Sequence, residues 1–534
     1  MSGPQTWVTA SQEHLWTRRW RRRLFALALA AVFLIGIAAV VVGAYLLVTT
    51  ARSHTPFYED PVDHFKYGSI GSEPASGLPA KLWHALPYLV PEAFGGAGDY
   101  RPFGFLYEQD ADGQQRDLPI GVGSRTASGL ELVWFNCALC HTGTVTTADG
   151  TRQIMPGMPS NNLDLHRFIG FILSLADDPR VGDIELVEAA IEASGADLGW
   201  LERQVWRFLV LPQVREQLIL RAAALTPLLA AQPPWGPGRV DTFNPYKVVQ
   251  LKMPLSSLAP QEVVAAADFP SIYLQRPREG MQLHWDGNNR SLFERNLSAA
   301  IGAGVTPETV DILSIERVVD WLLDLPPPVS PALEMGGELD KSALEKGRKI
   351  YRETCYGCHG DRGNGDYGTD SGEDLAYDFG GEHIGSVTPI DKVGTDSGRF
   401  DSYTEEFARN QRRLFAGTPH QFHHFEKTTG YANLPLDGLW LRGPYLHNGS
   451  VPTLADLLEP PGTRPTAFIR GLDTPDPEKG GFLAPVCDPQ ASADESKGFC
   501  FDTGLPGNSN DGHLWGTELP DADKAALLAY LLTF

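Results

Sequence analysis

Residues 135–143 read FNCALCHTG and residues 353–361 read ETCYGCHGD, so the order C-x-x-C-H occurs twice in one chain. Two thiols three positions apart on one helical turn, followed at once by an imidazole, suit a particular chemistry. Each thiol adds to a vinyl group of a haem, and the histidine beneath supplies a ligand to the iron. The two sets are Cys137, Cys140 and His141, then Cys355, Cys358 and His359. Half of a zinc site or a redox dithiol is the other reading of C-x-x-C. A zinc site needs a second cysteine pair beside each copy, and six cysteines leave none to spare. Two covalently attached haem c groups are the expectation.

The motifs head two halves with a common outline. ALEKGRKIYRETCYGCHG (343–360) reads as a helix running into the second motif, and DADKAALLAYLLTF (521–534) as an amphipathic closing helix. IERVVDWLLDL (315–325) repeats the closing pattern a similar distance after the first motif, and the prolines of 326–337 then stop it. Such pairing resembles the small cytochrome c fold. The reading is a mainly α, loop-rich chain with two tandem cytochrome c-like domains after an N-terminal transmembrane helix. Its parts are a basic tail (1–23), an anchor (24–48), a first haem domain (49–325) with a helical insertion at about 187–230, a linker (326–340) and a second cytochrome c domain (341–534). The insertion carries no evident chemistry, and its Trp and Leu residues read as core.

Each iron takes a second axial ligand or leaves a face open. The methionines are residues 1, 155, 158, 253, 281 and 335, so none follows the second motif. The candidates there are His383, His420, His423, His424, His447 and His513. His513, in NDGHLWGTEL just before the last helix, is the first choice, and His447 is the next. For the first haem, Met155 and Met158 are either ligands or packing residues over an open face that would bind dioxygen or peroxide.

Beyond these motifs, LHWDGNNRSLFERNLSAAIGAG (283–304), GPGRVDTFNP (236–245), PYLHNGSVPTL (444–454) and GHLWGTEL (512–519) resemble the bacterial di-haem cytochrome c peroxidase superfamily, closest to its rubber-oxygenase-like branch. The resemblance implies that Trp285, of the W-D-G segment, lies between the haems as an electron-transfer bridge. Where the peroxidases carry a distal histidine, this chain has the Met/Gly/Pro loop after His141. No glutamate matches theirs securely, and Ala300 and Ile301 stand where the rubber oxygenases place an aromatic residue.

Residues 24–48 are uncharged and mostly apolar, long enough to span a bilayer, and follow RRWRRR at 18–23. Signal-peptide and twin-arginine export readings compete with an anchor. The anchor reading places the chain in the inner membrane as a single-pass protein, with its N-terminus cytoplasmic and its bulk periplasmic. Cys487 and Cys500 are left over, and a disulfide is expected of them in an oxidising compartment; two free thiols are the alternative. A net charge of −22 disfavours nucleic acid and favours a basic redox partner. The function expected is a di-haem oxidoreductase, with O₂ or H₂O₂ activated at the first haem, over His141, and electrons relayed by the second. An electron carrier with both irons six-coordinate is the alternative.

Overall fold

The computed structural model describes residues 9–50, 53–334, 340–362, 377–491 and 498–534. Met335, part of the 326–340 linker, the first eight residues of the basic tail and part of the irregular 361–440 stretch lie outside them. Residues 56–124 and 132–534 form one compact unit, and residues 1–55 with 125–131 form another.

In the smaller unit, helix Thr9–Thr50 carries the apolar run, and its described side chains are nearly all exposed. Among the described residues no helix is long and apolar enough to cross a membrane. Side chains at 38, 39, 42 and 45–48 lie outside the described residues. The stretch described without a break, 24–37, falls short of the about 20 residues that a span requires. The anchor and the single-pass inner-membrane placement with a periplasmic bulk are corrected on this finding.

The larger unit corrects the fold expectation a second time. The chain is 43% helix and 12% strand, and the described strands form five small antiparallel sheets rather than a purely helical frame. Most of these strands have two to five residues, too few for alternation of side chains to show in a sequence.

Helix Lys341–Thr354 packs against helix Asp521–Leu531, and the second C-x-x-C-H follows directly as the short helix Tyr356–His359. The contact is close because of Gly347: a Cβ there would lie 2.0 Å from the Ala526 carbonyl oxygen. Tyr351, Leu527, Tyr530 and Phe534 form the apolar core of that contact, with Cys355 packed at its edge. The first C-x-x-C-H instead opens on the short turn Cys137–Leu139, between strands Leu130–Phe135 and Thr142–Thr146. Asn136 shapes this turn: its Oδ1 accepts from Ala138 N at 3.0 Å, and its amide donates to the carbonyls of Lys66 and Gly68.

Within the insertion lie helices Trp200–Val205 and Leu211–Ala230, joined by a wide turn. Trp206 is buried, but Trp200 is 78% exposed and Phe208 67%. The expectation that this segment's aromatic and aliphatic side chains are all core is therefore corrected; much of that apolar surface faces outward.

Candidate haem sites

Both proximal histidines are held in the same way. His141 Nδ1 lies 3.0 Å from the Pro270 carbonyl, and His359 Nδ1 lies 2.7 Å from the Leu434 carbonyl. A carbonyl can only accept, so Nδ1 carries the proton in each ring and Nε2 presents its lone pair. This second partner is what fixes tautomer and orientation in metal-ligating histidines. Burial reinforces the neutral form: it lowers His141 to about 4, with Arg295 adding to the effect, and it lowers His359 as well.

The four cysteines of the motifs are not disulfide-bonded. Burial pushes Cys137 up to about 11, and Cys140 and Cys355 up to about 12. A redox dithiol needs a depressed thiol pKa, so these pairs do not suit that chemistry. Among the described residues no group of three or more His, Cys, Asp or Glu is placed to hold a metal ion, which weighs against the zinc reading.

Across from His359 stands His513, with ring centres 6.3 Å apart and planes inclined by 42°. An iron bonded at about 2 Å to a nitrogen of each imidazole requires ring centres roughly 6 Å apart, so the pair fits a bis-histidine haem. The backbone is bent to achieve this. His513 sits at φ +49, a left-handed conformation that is uncommon outside glycine. Its N–H is tied to the Val393 carbonyl at 2.8 Å. Gly512 before it has φ +77, and a Cβ there would lie 2.3 Å from the Gly394 carbonyl carbon. The buried Nδ1 of His513 has no protein partner, and burial lowers the ring to about 4, followed by the effect of His359.

The other candidate histidines are engaged or exposed. His447 is stacked on Tyr431 with centres 4.1 Å apart, and its Nε2 lies 3.0 Å from the Tyr431 hydroxyl. His424 binds the buried Glu294, which also accepts from the backbone of His423 and His424. His420 packs on Phe293, while His383 and His423 are exposed.

At His141, among the described residues, no second imidazole faces the ring as His513 faces His359. Met158 is fully buried in an apolar cluster with Val145, Tyr273 and Trp440, and Met155 packs against the same cluster. Ala300 and Ile301, from helix Leu292–Gly302, lie in the core against which Cys137 packs. Arg295 of that helix is close enough to act electrostatically on both Cys137 and His141, and burial pushes its guanidinium down to about 10. Sequence reading passed over Arg295; a cation inside an otherwise apolar, haem-adjacent helix was the available signal.

Trp285 joins the two sites. Its indole N–H donates to the Asp268 carbonyl at 2.8 Å, two residues before Pro270. Its own carbonyl accepts from Ala432 N at 2.8 Å, two residues before Leu434. A continuous run of covalent and hydrogen bonds therefore leads from His141 through Trp285 to His359. Cys487 and Cys500 form a disulfide beside strand Phe499–Asp502.

Residues 430–469 match a family described as RoxA-like, cytochrome c-like. The match supports a relationship to RoxA-like c-type cytochromes. It implies a covalently bound haem c, and the matched residues include Ala432, Leu434 and His447 from the wall around His359. The wider di-haem peroxidase placement is not carried by the match. The chain is also similar to two proteins of Sinorhizobium fredii (strain NBRC 101917 / NGR234). Uncharacterized protein y4iJ is 26% identical over 513 residues, covering 81% of this chain and 82% of that one. Uncharacterized protein y4iM is 30% identical over 263 residues, covering 46% and 56%.

Proposed function

We propose that this chain is a di-haem c-type cytochrome oxidoreductase, with two tandem haem domains bridged by Trp285. Cys137 and Cys140 hold one haem above His141; Cys355 and Cys358 hold the other between His359 and His513. When bound, haem supplies one-electron transfer and, at an open face, the activation of peroxide or dioxygen. The asymmetry of the two histidines carries the reading. His359 faces a second imidazole at 6.3 Å, which suits a relay, whereas His141 faces apolar residues and Arg295, which suits a site open to O₂ or H₂O₂.

Each proximal histidine keeps its Nε2 free for the metal by donating Nδ1–H to a carbonyl. Trp285 supplies the aromatic step between the two carbonyl-bearing segments. The acidic chain, at net −22, favours a basic redox protein as electron donor or acceptor.

The test is a spectrum of the purified holoprotein followed by carbon monoxide titration. One equivalent of CO, bound at the His141 site alone, is expected. No binding at either site would remove the enzyme reading and leave a plain electron carrier.

A further inference from the structure

A cleft of about 750 Å³, mouth included, opens beside Trp285, and both Pro270 and Leu434 line it. It therefore lies against the two carbonyls that orient His141 and His359. Its charge is unbalanced. Arg278, Arg442 and Arg470 line it, with Asp268 as the sole carboxylate among the lining residues.

Behind the lining, Asp437 is fully buried and shared: Arg278 binds its Oδ1, and Arg442 lies 3.2 Å from the same atom. On the other wall Arg470 lies 2.8 Å from Asp268, and Arg239, 1% exposed, lies 3.8 Å from it. Asp396 is near enough to act on Arg239. Counting Arg239 and Asp396 with the rest still leaves one guanidinium in excess. Buried charges without partners are costly, so such a surplus calls for an anion. Two donors point the same way: Arg442 Nε and Ser271 Oγ, both in lining residues, are buried with no protein partner.

We infer that this cleft is a carboxylate-binding chamber and that Arg442 and Arg278 hold haem propionates in it. The inference rests on the two-haem reading. Guanidinium forks match carboxylates in geometry as well as charge. The chamber also touches the segments that orient both proximal histidines, where the edges of two haems would converge. A free carboxylate from solution is the other source of the same chemistry.

The test uses the full-length holoprotein, with both haems first verified by mass, so that failure of haem attachment is separate from failure of this inference. A paired propionate stays ionised, because a nearby cation lowers its pKa. The midpoint potentials of the wild type should therefore vary little between pH 5 and 8. In Arg442→Gln one haem should lose potential, since a cation that disfavours the ferric state is gone, and that potential should become pH-dependent. Arg442→Lys should restore a flat profile.

Unchanged potentials and pH profile in Arg442→Gln would overturn the inference. Should that variant fail to mature, the resonance Raman propionate bands of the wild type decide: constant positions across the same pH range are expected, and a titrating band is the contrary result. Acetate added to the wild type should give no saturable spectral change. A saturable change would assign the chamber to a free carboxylate and also overturn the propionate assignment.

Discussion

The Trp285 indole donates to the Asp268 carbonyl at 2.8 Å, and that bond ties the W-D-G segment to the strand leading to Pro270 and His141. With the Ala432 N–H on the Trp285 carbonyl, it makes this residue the shared member of both proximal frameworks. Replacing Trp285 by Leu should slow electron exchange between the haems by more than about tenfold, a barrier change of about 1.4 kcal/mol, while both absorption spectra stay nearly unchanged. Trp285→Phe keeps the ring and loses the donor, so its rate should fall between the two. Reduction of one haem followed by stopped-flow readout of the other measures it.

His513→Ala should open the second face at His359. The low-spin signal should fall, and bound carbon monoxide should rise from one equivalent to two. His513→Met should keep the iron low-spin and raise its potential, because thioether favours the ferrous state more than imidazole does. A spin state and CO count that do not move in the alanine variant would remove His513 from the ligand set.

Gly347 meets the Ala526 carbonyl where no Cβ fits. Gly347→Ala should cost about 1–3 kcal/mol, the range for overpacking a well-filled contact. Urea unfolding followed in the spectrum of the second haem should show it as a lower midpoint. An unshifted midpoint would mean the two helices do not meet this closely in solution.

Burial lowers His284 to about 4 from an ordinary 6.5, and lowers His447 well below its ordinary range. Both rings are thus neutral when folded, and the unfolded chain binds their protons first. Stability should accordingly be full above about pH 6.5 and decline as pH falls toward 4. Denaturant unfolding at a series of pH values measures the slope, and His284→Gln should flatten it.

Some of this was legible in the sequence and some was not, for physical reasons. C-x-x-C-H is a local device, complete within five residues, so spacing alone exposes it. The helices Lys341–Thr354 and Asp521–Leu531 show because apolar residues recur at helical period. The carbonyls of Pro270, Leu434 and Asp268 leave no trace, since every residue has one and only tertiary structure selects among them. The sharing of Asp437 by Arg278 and Arg442 is equally silent, because those residues are about 160 positions apart in one case and five in the other. The apolar run at 24–48 reads as a span on composition alone, and that expectation gave way. The brief strands were missed because alternation requires more residues than they contain.

The path between the two sites enters each from beneath, through the carbonyl that steadies the proximal ring, and touches nothing on the opposite side of either iron. Wiring and reactivity are thereby separate inheritances. Ala300, Ile301, Arg295 or His513 can be exchanged by descent without disturbing Pro270, Trp285 or Leu434. A lineage built on this plan can trade one oxidant, or one substrate, for another and keep its conductor intact.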